Sequence, residues 1–348
     1  MNNSWRRILY FLANVTKRYA IMLVLIGLMI VFSIINPRFF SFGNFVNIMA
    51  QNSYIIIASM GMAFAMIGGG IDLSIGYAIS LIGVVTTVLM KWGNFPVWSA
   101  IIGGLALGTL LGFFNGFLSV KLKVHTMIVT LGTMSVFEGI SYTITNSNSI
   151  YDLSSSFKFI GQGYVFGVPL SIIITVIIAI LATLFLSKTY LGRYIYAVGS
   201  NEEASRLAGI NTNQIRVAIF SICGLFVGIA AVILVARSGS MNSSVGAGTE
   251  FVCLTAAILG GVSFKGGEGK IWSVGIGALI LGVLSNGMQI IGLGIYPQYI
   301  AKGFILLAAI SFDTYQRQTK VKKLITQKVE VNMMKTVKSD SEEKLEGV

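Results

Sequence analysis

Apolar residues run along this chain in long uncharged stretches, and the stretches break at Gly, Pro, Asn and charged residues. A helix that crosses a bilayer needs about 20 mostly apolar residues. Cutting the runs at their breaks predicts ten spans, at residues 19–35, 46–67, 73–90, 97–120, 124–144, 170–187, 216–236, 250–264, 271–292 and 297–313. The eighth is short. It holds about fourteen uncharged residues from Phe251 to Phe264, ends against Gly260, Gly261 and the charged KGGEGK loop at Lys265–Lys270, and predicts a re-entrant or interior helix. The expected fold class is an all-α polytopic membrane protein of about ten transmembrane helices.

Composition agrees with that pattern. Only 11% of the 348 residues are charged, whereas soluble domains carry about 25%, so a soluble catalytic domain is excluded and one transmembrane domain over residues 19–313 is expected. Cys223 and Cys253 are the only cysteines and sit in apolar stretches, where they act as small hydrophobes and build no disulfide framework or metal cluster. The net charge of +12 suggests nucleic acid or a lipid surface until the basic residues are placed on the ten-span topology. With the N-terminus inside, twenty Lys and Arg fall in inside segments, four (Arg38, Lys91, Lys158, Arg237) fall outside, and Lys302 lies within the last span. That asymmetry predicts both termini in the cytoplasm. Basicity therefore reads as topology, and no motif or folded basic surface for nucleic acid is present.

Residues 1–18 form a cytoplasmic N-terminus with Arg6, Arg7, Lys17 and Arg18 ahead of the first apolar run. No small-residue cleavage site follows, so the first span is expected to be retained and the mature chain to start at Met1. Residues 314–348 form a basic, mixed-charge cytoplasmic tail without an apolar face, expected to be disordered or only locally helical. Two loops stand out: 145–169, polar and external, and 188–215, internal and carrying both charge signs.

The internal loop holds the sharpest local signal. Ser200 followed three residues later by Glu203 is a capping-box pattern, and Gly209 is a helix terminator, so a helix of about eight residues is expected to project from the membrane. Leu207 and Ile210 are its apolar contacts. Two readings are open at this point: insertion into a groove on a soluble partner, or lying on lipid.

In the fourth span Gly104, Gly108, Gly112 and Gly116 recur every four residues, a small-xxx-small stripe that lets a neighbouring helix approach closely. The neighbour belongs either to this chain or to a second copy. A weak internal echo relates AMIGGGIDLSIG at Ala65–Gly76 to AILGGVSF from Ala257 and, beyond the charged hexapeptide, IWSVG to Gly275.

Ionisable groups at membrane depth are Asp72, Glu138, Glu250, Lys302 and, at the end of the last span, Asp313. Asp72 follows three glycines at the start of the third span, where a carboxylate favours the positive end of a helix. Glu138 and Lys302 could form an interior pair that offsets both desolvation costs, and a proton or ion relay would use similar residues, though one acid per few spans is a thin chain. Uncharged polar residues in the spans are Gln51, Asn52, Ser53, Asn115, Thr130, Thr133, Asn286 and Gln289. Such groups line a path for a neutral, hydroxyl-rich solute or fasten helices together. No G-x-x-x-x-G-K-[ST] occurs, and His125 is the only histidine, so no nucleotide site, catalytic group or metal site of the chain's own is expected.

Several motifs in order carry a family resemblance: NPRFF from Asn36, GGIDLSIG at Gly69–Gly76, TLGT at Thr130–Thr133, LGRYIYAVGSN at Leu191–Asn201, AGIN at Ala208–Asn211 and LGGVSFKGG at Leu259–Gly267. Over about residues 36–313 the chain resembles the membrane-spanning permease subunits of bacterial ABC importers for simple sugars, the ribose and galactose type. The resemblance implies a plasma-membrane permease working with a second copy or a related permease, a cytoplasmic ATPase with two nucleotide-binding domains that uses the ATP, and an external sugar-binding protein. EASRLAG at Glu203–Gly209 is similar to the E-A-A-x-x-x-G coupling loop of ABC importers, with Ser205 in place of the second Ala. It implies contact with the ATPase through Glu203, Ala204, Arg206, Leu207 and Gly209. Asp72, Ser74, Gln51, Asn52, Asn115, Thr133, Asn286 and Gln289 are the path or gate candidates. An ion-coupled secondary transporter of a small polar solute is the alternative.

Overall fold

The computed structural model describes residues 21–315 and 318–319. The expected N-terminal segment 1–18 and nearly all of the tail 314–348 lie outside the described residues, as does the placement of both termini. Two units are distinguished: the first runs to Leu306, and the second begins at Leu307 with its described residues helical.

Helices α1 (Ile21–Ile35), α2 (Phe42–Ile67), α3 (Ile75–Lys91), α4 (Val97–Leu122) and α5 (Thr126–Thr145) come first. After them lie α6 (Ser155–Gln162), an antiparallel hairpin of β1 (Tyr164–Val165) and β2 (Val168–Pro169), then α7 (Leu170–Lys188), α8 (Tyr190–Ser200) and α9 (Glu202–Leu207). The series closes with α10 (Thr212–Ser238), α11 (Thr249–Leu259), α12 (Ile271–Ile290) and α13 (Ile295–Tyr315). Among the described residues seven helices, α2, α4, α5, α7, α10, α12 and α13, are long and apolar enough to cross a membrane, and α1, α3 and α11 are shorter apolar helices. Each of the ten predicted segments coincides with one of these ten. The 11 residues of α11 reach only about 16 Å at 1.5 Å per residue, roughly half of a ~30 Å hydrocarbon core. It is a half-length element, as its early glycine break predicts.

Helices α2 and α10 form the buried centre, with α3, α11 and α12 packed around them. Outer faces are apolar as well: Ile102, Leu110 and Phe113 on α4 and Ile177, Ile180 and Leu184 on α7 are exposed. Faces of that kind are stable against lipid and would aggregate in water.

The glycine stripe of α4 meets a helix of its own chain. A Cβ at Gly108 would lie 2.5 Å from the Gly224 carbonyl oxygen, and one at Gly112 would lie 2.0 Å from that of Phe220, both on α10. Gly224 and Gly228 answer from α10, where a Cβ at Gly224 would come within 2.1 Å of the Gly108 oxygen. Gly116 also faces α10, at Val217 and Phe220, whereas Gly104 sits against Thr86 of α3. The two backbones touch because neither carries a side chain at the crossing.

The internal echo has a structural counterpart. Gly69 at the end of α2 (φ +83°) and Gly261 at the end of α11 (φ +79°) both take the left-handed conformation. Gly70 N–H donates to the Ala65 carbonyl (2.9 Å) and Gly69 N–H to Met66 (2.9 Å); Val262 N–H donates to Ala257 (3.0 Å) and Gly261 N–H to Ile258 (2.8 Å). These are the same two Schellman bonds at aligned positions.

Two regions carry more structure than their polarity predicts. Residues 145–169, expected as an external loop, hold α6, which is capped by Ser154 and whose Phe157 is fully buried in a cluster with Val235 and Ala236. Residues 188–215, expected as an internal loop, hold two helices, α8 and α9: α8 buries Gly192, Ile195 and Val198 at helical spacing, a pattern too short to separate from a loop by periodicity alone.

Candidate functional site

Ser200 does not cap α9, because α8 continues to Ser200. Asn201 is the cap: its Oδ1 accepts from Ala204 N–H at 2.9 Å. The helix has six residues, Glu202–Leu207, rather than eight. It ends in a Schellman motif, with Gly209 at φ +83°, Gly209 N–H donating to Arg206 and Ile210 N–H to Ser205, both at 3.0 Å. A residue with a Cβ is strained in that conformation.

Glu203, Ala204, Arg206, Leu207 and Gly209 are all exposed, Leu207 at 82%. Ser205 is the one buried residue of the turn, and its Oγ donates to the Asn201 carbonyl at 2.8 Å. Glu202 and Arg216 form an ion pair that ties α9 to the start of α10. The Arg206–Glu203 pair, at 3.9 Å and exposed on both sides, is worth at most about 1 kcal/mol. Beside α9 lies a cleft of about 530 Å³ whose lining includes Lys123, His125, Glu202, Arg206 and Arg216.

The base of α9 rests on the bundle through bare backbone. A Cβ at Gly199 would lie 1.8 Å from the Ile67 carbonyl oxygen and 2.8 Å from Gly267 N. Gly267 N–H donates to that same Ile67 oxygen at 2.8 Å. Tyr196 of α8 donates its hydroxyl to the Gly269 carbonyl at 2.7 Å, and partial burial pushes its phenol up. The ends of α2 and α8 and the 263–270 loop thus share one point at Gly199, two residues before the α9 cap Asn201.

Four of the eight path candidates come together at the junction between α2 and α3. Ser74 donates to Asp72 Oδ1 from its backbone (2.9 Å) and from its hydroxyl (2.6 Å). Asn115 of α4 donates Nδ2–H to Ser74 Oγ at 2.9 Å, and Thr133 of α5 donates to Asn115 Oδ1 at 2.7 Å. The Cys223 thiol of α10 reaches Asp72 Oδ2 at 3.8 Å. All five are buried. The stretch before α3 is unwound, and α5 satisfies its backbone: Thr126 Oγ1 accepts from Ile71 N–H (3.3 Å) and Thr130 Oγ1 from Leu73 N–H (3.1 Å). Two residues of extended chain match one turn of helix, so threonines four apart serve amides two apart.

The other four candidates lie elsewhere. Asn52 is buried, donates to Ile48 O at 2.7 Å and presses on Gly282 of α12. Asn286 accepts from Asn44 at 3.0 Å, fastening α12 to the chain at the start of α2. Gln51 and Gln289 are exposed. The Glu138–Lys302 pair does not form: Glu138 hydrogen-bonds Tyr77. Glu250 in the first turn of α11 is buried, and its Oε2 has no partner. Among the described residues no three His, Cys, Asp or Glu converge as metal ligands.

Sequence reasoning missed Asn201, Thr126, Glu202 and Arg216. An Asn directly before two acids is a helix-start signal that was available. The match of Thr126 and Thr130 to an unwound stretch depends on which helices pack together.

Against known proteins, the family described as "branched-chain amino acid transport system / permease component" matches residues 44–310, from the start of α2 into α13. The chain belongs to this family. The permease is 38% identical to the ribose import permease protein RbsC of Haemophilus influenzae, over 84% of this chain and 92% of that protein. It is 36% identical to the D-allose transport system permease protein AlsC of Escherichia coli (85% and 91%) and 36% identical to the L-arabinose transport system permease protein AraH of the same organism (88% and 93%). The matched region holds α9 and the Asp72 junction. No solved structure matches the permease. It is a multi-pass membrane protein of the sugar ABC permease type.

Proposed function

We propose that the permease forms the translocation path of an ATP-driven importer of simple sugars in a bacterial plasma membrane, with ten membrane helices and both termini inside. In this reading α9 projects into the cytoplasm and docks on a separate ATPase with two nucleotide-binding domains, which uses the ATP. A second copy or a related permease completes the path, and an external binding protein delivers the sugar. The permease performs no covalent chemistry.

The observation that carries the reading is α9 itself. A six-residue helix is too short to be stable alone, yet it is capped at both ends and turns all five coupling candidates outward. Its base is pinned to the end of α2 through Gly199 and Gly267. A displacement of α9 by a partner therefore reaches α2 and the Asp72 junction through stiff backbone contacts. The distribution of Lys and Arg supports the orientation, and three relatives named for ribose, allose and arabinose support the solute class.

The test is co-purification of tagged permease from its native cells in mild detergent, comparing wild type with Gly209→Arg and Leu207→Asp. An ATPase with two nucleotide-binding domains is expected with wild type and lost with both variants. Vesicles holding the recovered complex and binding protein then read ATP-dependent uptake of D-ribose, D-allose, L-arabinose and L-leucine. An ion-coupled transporter is the second reading, favoured by the unpartnered Glu250 oxygen. Recovery of no ATPase, with uptake by the permease alone down an ion gradient, would establish it instead.

A further inference from the structure

The Asp72 junction is fully packed and internally satisfied, which makes it a poor place for a solute. A different place has the opposite character. Helices α2, α11 and α13 line a groove of about 670 Å³, within the range of about 300–1,000 Å³ typical of small-molecule sites. It lies within the first unit.

Its lining includes the polar groups Tyr54, Gln298, Tyr299 and Lys302, and Gln298 Nε2–H spends one hydrogen bond on the Leu293 carbonyl at 3.5 Å, which leaves its second N–H to donate. Lys302 sits in the groove half-buried and makes no ion pair or hydrogen bond within the described chain. It lies seven residues into α13, about 10 Å from the helix start, where an unpaired ammonium is costly unless it meets water or a ligand. Gln298 lies one turn earlier on the same lining. Tyr54 of α2, held by a side-chain hydrogen bond to Thr249, and the exposed Tyr299 add ring faces. Free amides at the start of α11 would favour an anion, but the Glu250 carboxylate already accepts from the Gly248 and Glu250 backbone.

We infer that this groove is the solute-contacting wall of the path and takes one neutral monosaccharide. Lys302 and Gln298 donate hydrogen bonds to its hydroxyls, and Tyr54 and Tyr299 pack against its apolar ring face. Donors beside aromatic faces match a pyranose or furanose, which presents hydroxyls on its rim and C–H groups on its faces. This rests on the sugar-import reading above and adds the residues that touch the sugar. None of Gln51, Asn52, Asp72, Ser74, Asn115, Thr133, Asn286 and Gln289 lines the groove.

The test uses the complete importer in proteoliposomes with the sugar that wild type transports best among D-ribose, D-allose and L-arabinose. Lys302→Cys is expected to lower uptake at least tenfold while the ATPase still copurifies, which reports folding. Aminoethyl methanethiosulfonate, which puts an ammonium back on the thiol, is expected to restore uptake, and the transported sugar to slow that labelling at least fivefold. Cys223 and Cys253 are buried, so wild type supplies the background. Lys302→Arg is expected to retain more uptake than Lys302→Gln.

Unchanged uptake in Lys302→Cys, or labelling unaffected by sugar, overturns the groove assignment and leaves the importer reading standing. Protection by L-leucine but by no sugar overturns the solute class. A spontaneous Lys302→Cys disulfide between two copies, without sugar protection, makes the groove a subunit contact and overturns the site. Failure of wild type to transport any of the three sugars overturns both readings.

Discussion

Gly267 donates its backbone N–H to the carbonyl oxygen of Ile67 at 2.8 Å, and Gly199 packs against both atoms from the end of α8. The charged loop inside the second echo segment thus closes on the helix that ends in the first, and the end of α8, just before α9, is wedged between them.

A side chain at Gly199 has nowhere to go, because the obstacle 1.8 Å from its Cβ position is the Ile67 carbonyl, backbone that cannot rotate away. Gly199→Ala is expected to cost about 1–3 kcal/mol through overpacking, read as a lower thermal unfolding midpoint in detergent. It should also lower transport-linked ATPase stimulation more than it lowers ATPase recovery, since the outward face of α9 is untouched. Equal loss of both would mean that α9 is not coupled through this contact.

Asp72 is placed to organise the start of α3. Asp72→Asn keeps an oxygen to accept from Ser74 and is expected to retain most transport. Asp72→Ala leaves the buried Ser74 groups short of a partner and is expected to cost about 1–3 kcal/mol, measured by thermal unfolding. If Asp72→Asn abolished uptake while the fold and the ATPase complex were intact, the carboxylate would have a charge-dependent role that its packing does not reveal.

The ten apolar segments were legible because an uncharged run of membrane length depends only on local composition, and all ten fall on helices. Four of the five residues of the Asp72 network, Asp72, Ser74, Asn115 and Thr133, were legible as types, not as a group. Nothing in the sequence says that Thr133 reaches Asn115 and Asn115 reaches Ser74, because those bonds depend on which faces of α3, α4 and α5 meet. Lys302 and Glu138 illustrate the converse: opposite charges at membrane depth invite pairing on paper, but Glu138 takes Tyr77 instead. The role of Gly209 could be read because a left-handed terminator is a one-residue property. The helix start was signalled by Asn201 before Glu202 and Glu203, but the Ser200–Glu203 pattern competes with it until α8 is known to run to Ser200.

That misplaced start gives a discriminating pair. Asn201→Ala removes the cap on α9 and is expected to destabilise that helix by about 1 kcal/mol, weakening ATPase recovery several-fold. Ser200→Ala removes no capping bond and is expected to leave recovery near wild type. The reverse ranking, measured by quantitative co-purification, would restore the capping box at Ser200.

The helix crossing of α4 and α10 separates close approach from glycine content. Gly112→Ala puts a methyl group 2.0 Å from the Phe220 carbonyl oxygen, and relief requires α4 to move outward along much of its length. The expected cost is about 1–3 kcal/mol, rising for Gly112→Val. Gly132 and Gly139 on α5 have nothing within 4 Å of a Cβ position, so Gly132→Ala and Gly139→Ala are expected to be neutral or to stabilise by up to about 1 kcal/mol through helix propensity. Thermal unfolding of the purified variants checks both arms. If Gly132→Ala or Gly139→Ala proved as damaging as Gly112→Ala, that open face of α5 would be covered by another subunit, whereas a harmless Gly112→Ala would mean that α4 and α10 are not in backbone contact.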